Sequence, residues 1–197
     1  MTEPYAFRIS VAELAEFCCR SGDLNLGMER SPTAQEGQEG QRKLQKDKPA
    51  HYQKEVQVQD HWSTPAFTCI ITGRIDGLQL DSIPLLEEIK TTYCNEASLP
   101  AAQRAVHWAQ LKLYAALLLP QLESETFRLQ LRYLNLEDES QYQFEEMLSR
   151  EALQDFYAHC KALSLQNQII VLSATPSSFK KERKRPTCSS SAVIQPA

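Results

Sequence analysis

Asp76, Glu88 and Lys90 are two carboxylates and an ammonium whose spacing could serve metal-assisted hydrolysis. Asp76 follows a β-branched and aromatic run and precedes Gly77, where a bend would leave room for a ligand. Glu88 and Lys90 stand two apart in a strand-like segment, so both side chains share one sheet face. Two carboxylates and a main-chain carbonyl, here that of Ile89, are the oxygen ligands that a hard cation such as Mg²⁺ or Mn²⁺ prefers. Such an ion lowers the pKa of a bound water and shields a phosphodiester under attack. Lys90 would orient that water or offset charge in the transition state. Taken singly, these fragments are ordinary: Glu-x-Lys is most often a solvated strand face, and Asp-Gly is most often a turn.

The next segment narrows the reading. Gln110 and Tyr114 lie four apart on an expected helix, one above the other, and His107 extends the stripe one turn earlier. A polar His, Gln and Tyr stripe on an otherwise apolar helix, directly after the Glu-x-Lys strand, would stand beside the carboxylates.

The elements that must hold these groups are legible as periods and caps. Ser10 with Glu13 is a capping box opening a helix along Val11, Leu14, Phe17 and Cys18, with Gly22 to end it. Thr33 with Glu36 opens a second, through about Gln45. Gly37 and Gly40 within it imply close approach of another backbone or a ligand, since each costs about 1 kcal/mol relative to Ala. Strands are expected at 53–59, at 66–75 with Asp76-Gly77 breaking the run, and at 84–92. A helix follows at Gln103–Leu119, apolar along Val106, Ala109, Leu113 and Leu117. A further strand at 126–134 alternates through Phe127, Leu129, Leu131 and Tyr133. Ser140 with Gln143 is read as the cap of a last helix to about Ala162, its stripe including Phe144, Met147, Leu148 and Phe156. The order α-α-β-β-β-α-β-α makes an α/β sandwich around a mixed sheet.

Composition sets the bounds. The chain has 197 residues, 42% hydrophobic and 23% charged, enough for one self-sufficient core and unlike collagen, a coiled-coil rod or a wholly disordered chain. Its longest apolar run, Ala115–Leu119, falls far short of the roughly 20 residues of a membrane helix. The first residues carry no signal segment, so no membrane and a cytoplasmic location are expected. Six cysteines without CxxC spacing read as free thiols, with Cys18, Cys19, Cys69 and Cys94 buried. The net charge of −4 is uneven: residues from Ala174 onward carry +4, leaving −8 on the body. That acidic body would repel phosphates unless a metal or a tethered partner supplied positive charge. The domain is read as 1–172, and 173–197 as a disordered basic Ser/Pro-rich tail. The run Leu172–Pro176 matches a helicase Ser-Ala-Thr motif by chance. No Gly-x-x-x-x-Gly-Lys-[Ser/Thr] loop exists, so no ATP site is expected.

Gly73-Arg-Ile-Asp-Gly77, Leu86-Glu-Glu-Ile-Lys-Thr91 and Gln110-Leu-Lys-Leu-Tyr114 together resemble the RecB-type branch of the PD-(D/E)xK nuclease superfamily. The resemblance implies a restriction-endonuclease-like sandwich, with Asp76 and Glu88 binding a divalent metal, Lys90 catalytic, and Gln110 and Tyr114 holding DNA or ordering the site. Val11–Phe17, Arg20–Leu24, Ser31–Gly37 and His107–Gln110 further resemble the nuclease-like N-terminal region of bacterial DinG-related ATP-dependent DNA helicases, over about residues 7–162. A helicase motor follows in such proteins. Here it is missing, which implies a shortened version or a dedicated short form, partnered by a separately encoded helicase.

Two departures accompany the resemblance. Many relatives carry a His before the sheet as a further metal ligand, where this chain has Gln41; Glu36 and Glu55 are the acids that could compensate. Iron–sulfur relatives use a late cluster of three cysteines, which Cys160 and Cys188 cannot form, so no iron–sulfur cluster is expected. Two functions stay open: a Mg²⁺- or Mn²⁺-dependent deoxyribonuclease acting on DNA ends or single strands, and a DNA-binding or docking module without turnover. The tail also fits a third, a degenerating fragment.

Overall fold

The computed structural model describes residues 5–19, 31–63, 65 and 67–174. Its elements are β1 (Tyr5–Ser10), α1 (Val11–Cys19), α2 (Ala34–Leu44), β2 (Tyr52–Ser63), β3 (Phe67–Gln79), β4 (Leu85–Thr92), α3 (Ala101–Leu118), β5 (Thr126–Asn135), β6 (Gln141–Ser149) and α4 (Arg150–Ala174). The six strands form one mixed sheet in the order β1-β3-β4-β5-β6, with β2 also paired to β3. β1 runs parallel to β3 and β4 parallel to β5, while the other pairs are antiparallel. Among the described residues no helix is long and apolar enough to cross a membrane.

Both capping boxes form. Glu13 Nα–H donates to Ser10 Oγ at 3.1 Å and Ser10 N–H returns to Glu13 Oε2 at 2.8 Å. The corresponding bonds at Thr33 and Glu36 are 3.2 and 2.8 Å. α1, α3 and α4 pack on one face of the sheet around Leu14, Ile71, Leu86, Leu111 and Leu131, none of which has exposed surface. On the other face α2 sets Leu44 against Ile89 and Leu134.

The sandwich expected from sequence is present, but three elements differ. Tyr5–Ser10 is a strand, not an uncommitted lead-in to α1. The segment after Ser140 is not helical: Gln141–Ser149 forms β6, and the last helix begins at Arg150, where Ser149 Oγ accepts from Ala152 N–H at 3.1 Å. Ser140 instead closes a hairpin, its hydroxyl on Asp138 at 2.6 Å, beside Glu139 at φ 62°. The order is therefore β-α-α-β-β-β-α-β-β-α. Finally, Asp76-Gly77 does not end β3, which continues to Gln79.

What happens at Asp76 is a slip in the pleat. Ile71, Gly73 and Ile75 face the α1/α3 side, where a Cβ on Gly73 would lie 2.4 Å from the Tyr114 ring. Regular alternation would put Gly77 on that side as well. Instead Leu78 joins this core, and a Cβ on Gly77 would meet Tyr52 on the opposite face. The neighbouring strand accommodates the slip with Glu55, at φ 54° between Lys54 and Val56, whose partners Gly77 and Ile75 bracket Asp76.

Among the cysteines, Cys69 and Cys160 are buried, while Cys18, Cys19 and Cys94 are half-buried, less enclosed than expected. Cys188 and the basic tail lie outside the described residues.

Candidate active site

β3 has two edges and three partners. β2 occupies one edge along Thr68–Gln79, so β1 (against Phe67–Thr72) and β4 (against Gly77–Gln79) share the other. Between them the edge opens into a fork, and Asp76 stands at its apex. The β3–β4 ladder ends at Gly77↔Glu87, and just beyond it Ile89 N–H donates to Asp76 Oδ2 at 2.7 Å. A side chain thus replaces the missing rung, leaving Oδ1 for the space in the fork.

That space is a cavity of about 870 Å³. Asp76, Glu88, Ile89, Lys90, His107, Gln110 and Tyr114 all line it, so every site residue expected from sequence reaches one place. Glu88 and Lys90 share a face, joined at 2.6 Å between Oε1 and Nζ. Lys90 Nζ also donates to Gln110 Oε1 at 3.1 Å, and Gln110 Nε2 donates to Tyr114 OH at 3.0 Å. The i, i+4 stripe of α3 therefore continues the carboxylate–ammonium pair as one chain of hydrogen bonds. His107 stands on the same stripe, its Nδ1 2.7 Å from Tyr133 OH.

Electrostatics mark the carboxylates as short of positive charge. Burial, and then the neighbouring Glu88 charge, push the Asp76 carboxyl up to about 7. Burial likewise raises Glu88, against the lowering influence of Lys90. Glu88 is 2% exposed, and its Oε2 is buried without a hydrogen-bond partner. Burial works to lower Lys90, but the Glu88 and Asp76 charges outweigh it and raise it above its ordinary range. Lys90 is thus held as an ammonium. Burial, aided by the Lys90 charge, holds His107 down at about 3, so its imidazole is neutral. Burial raises Tyr114, which keeps its phenolic proton.

The donor set fits a hard divalent cation. An orphaned buried carboxylate oxygen is costly unless a cation meets it, and an oxygen-ligated ion needs only one or two carboxylates if water and neutral oxygens complete its shell. Among the described residues no three His, Cys, Asp or Glu side chains gather around one point, so the rest of such a shell would come from neutral groups. Gln41 is one, lining the cavity with a buried Nε2 that has no partner. Glu36 and Glu55 do not line it. Glu36 serves the α2 cap and accepts from Tyr93 OH at 2.5 Å, and Glu55 pairs with Arg74 at 3.7 Å.

Sequence reasoning passed over Gln45 and Arg74. Gln45 Nε2 donates to the Asp76 carbonyl at 2.7 Å, and Arg74 lines the cavity. Arg74 lay inside the Gly73–Gly77 motif and was the available signal. Gln45 carried none, because its role arises only when α2 docks on the sheet.

No protein-family model and no curated protein matches the chain. Solved structures do. The crystal structure of SSO0001 is 18% identical, covering 91% of this chain and 90% of its own at a TM-score of 0.48. The alkaline exonuclease LHK-Exo from Laribacter hongkongensis is 13% identical, covering 85% and 92% at 0.47. The same exonuclease in complex with dAMP is 12% identical, covering 84% and 91% at 0.45. At these values the likeness assigns neither family nor activity. The six-stranded mixed sheet flanked by helices is itself consistent with a restriction-endonuclease-like fold.

Proposed function

We propose that this chain is a divalent-metal-dependent deoxyribonuclease that hydrolyses phosphodiester bonds. The observation that supports this most is the meeting of Asp76, Glu88 and Lys90 at one cavity, with Glu88 Oε2 buried and unpartnered. In this reading Asp76 Oδ1 and Glu88 Oε2 would hold Mg²⁺ or Mn²⁺, with the Ile89 carbonyl, the Gln41 amide oxygen and water as further ligands. Such an ion, when bound, supplies a water of lowered pKa and positive charge at the phosphodiester. Lys90, fixed as an ammonium between Glu88 and Gln110, donates to the phosphate oxygen on which charge develops. Gln110 and Tyr114 keep that ammonium aimed, and neutral His107 offers the DNA strand an uncharged hydrogen-bonding group.

The finer placement rests on the Gly73–Gly77, Leu86–Thr91 and Gln110–Tyr114 motifs. On that support we assign the chain to the RecB-type branch, near the nuclease-like region of DinG-related helicases. It would act in DNA repair in the cytoplasm, on ends or single strands that a separately encoded helicase delivers. A second reading, a DNA-binding module without turnover, draws support from the neutral Gln41 and the want of a third acidic or histidine ligand among the described residues.

The test is degradation of end-labelled DNA by the purified full chain with Mn²⁺ or Mg²⁺. Cleavage is expected, to be stopped by chelation and reduced by at least about 100-fold in Asp76→Ala and Lys90→Ala, the scale of losing one transition-state donor. Cleavage that survives both substitutions overturns the assignment. Salt-sensitive binding without cleavage selects the second reading.

A further inference from the structure

Glu87, next to Glu88 but on the opposite face of β4, has no exposed surface and no place in the chemistry above. It accepts hydrogen bonds from Lys48 Nζ at 2.6 Å, Arg132 Nη1 at 3.1 Å and Tyr52 OH. These donors come from the α2–β2 connection, β5 and β2, so three segments converge on one carboxylate. Burial, and then Glu87, raise the Tyr52 phenol, which therefore remains a donor. The position of the cluster is informative. Gly77↔Glu87 is the last rung of the β3–β4 ladder before the fork opens. The Tyr52 side chain lies across Gly77 so closely that a Cβ there would fall 1.7 Å from its hydroxyl.

We infer that the Tyr52–Glu87 bridge, anchored by Lys48 and Arg132, is a positioning device that clamps the last β3–β4 rung and thereby sets the Asp76 carboxylate on Ile89 N–H. The bridge spans from β2 across β3 to β4. Loosening it would let the fork unzip past Gly77, which would carry Asp76 away from Glu88. Gln45 braces the same peptide from α2 through its bond to the Asp76 carbonyl. Tyr52, Glu87 and Gln45 are positioning residues, since each acts through Asp76. The catalytic consequence rests on the nuclease reading; the structural claim does not.

Tyr52→Phe keeps the ring over Gly77 and removes only the hydroxyl, so it is the variant of choice. Amide hydrogen exchange at Ile89, followed by NMR on the full chain, reads the Asp76–Ile89 bond directly. Exchange is expected to speed up at least tenfold in Tyr52→Phe. In the cleavage assay kcat falls about tenfold, with KM for DNA changed less than twofold. Leu153→Ala, a core truncation on α4 outside the cavity lining, is the control for stability loss alone, and Ile89 exchange relative to other core amides stays unchanged in it. Unaltered Ile89 exchange in folded Tyr52→Phe overturns the clamp whatever the activity. Absence of metal-dependent cleavage in the unsubstituted chain overturns the nuclease reading alone, because the exchange experiment does not need it. Should Tyr52→Phe fail to fold, Glu87→Gln, which leaves the Lys48 and Arg132 charges without their counter-ion, is expected to speed Ile89 exchange relative to other core amides. Unaltered relative exchange there overturns the clamp.

Discussion

Glu87 and Glu88 are consecutive on one strand and both buried, yet their surroundings are opposites. Glu87 faces α2 and is saturated by two cations and a phenol. Glu88 faces α3, shares one ammonium with the nearby Asp76 and keeps an oxygen without a partner. A carboxylate that is only structural can be satisfied completely by the fold. One that must receive a ligand cannot, because the ligand's place would be taken. Burial is common to both acids; what separates them is the unfilled valence on Glu88.

The comparison breaks first at Glu87. Glu87→Ala leaves the Lys48 and Arg132 charges facing each other across a buried space, a change that typically costs about 3–5 kcal/mol. Glu88→Gln takes the ion-pair partner from Lys90 but leaves it a hydrogen-bond acceptor and the nearby Asp76, so its loss should be smaller, about 1–3 kcal/mol. Denaturant unfolding of the two variants without metal checks the difference. Equal losses would mean that the two acids do the same job.

The next effect is pH-dependent and belongs to the α3 face. Asp76 has a folded value of about 7 against 3.8 unfolded, so the folded chain holds this proton more tightly. The stability this contributes is complete below about pH 4 and is lost as pH rises through 7, up to about 4 kcal/mol at 1.36 kcal/mol per unit. Glu88 is raised in the same sense and adds to the slope. Neutral His107, held down at about 3, works in the opposite sense up to about pH 6.5, so thermal melts of the metal-free chain between pH 4 and 8 should show the fall as a difference between the parent and Asp76→Asn. Mn²⁺ at neutral pH should restore the parent's Tm by binding the ionised form. A parent that gains stability relative to Asp76→Asn as pH rises across this window would contradict the charge deficit.

How much of this was legible in the sequence follows from the range of each rule. That Glu88 and Lys90 share a face is a local consequence of period two, and it holds. That Gln110 and Tyr114 stack is a local consequence of 3.6 residues per turn, and it holds too. The helix placed at Ser140 failed because a Ser-x-x-Gln spacing suits a hairpin turn equally well. The alternation of Tyr142, Phe144 and Leu148, half-buried on one side of β6, was the stronger signal there. The fork was illegible for a different reason: it exists only because β1 and β4 compete for one edge of β3, a long-range pairing that no local window contains. The clamp at Glu87 shares that cause, its donors lying 39, 35 and 45 residues away in sequence.

The smallest effect concerns the helix packed on the Glu87 face. Gly37 and Gly40 stand on α2, and both look replaceable by the same helix-propensity argument, worth about 1 kcal/mol each to Ala. Their neighbours differ. A Cβ on Gly40 would come within 2.3 Å of Thr91 Cγ2 and 3.2 Å of Leu134 Cδ2, so α2 would have to lift from β4 or Thr91 would have to turn. Overpacking of this kind costs about 1–3 kcal/mol, which outweighs the propensity gain, and Gly40→Ala should lower stability. A Cβ on Gly37 would meet only Thr91 Oγ1 at 3.8 Å, an ordinary contact. Gly37→Ala should therefore raise stability by up to about 1 kcal/mol. Because Gly37 also lines the cavity, the two readouts separate its uses. A gain in Tm with unchanged DNA cleavage makes this glycine incidental to the site, whereas a gain in Tm with a raised KM places the DNA strand against α2.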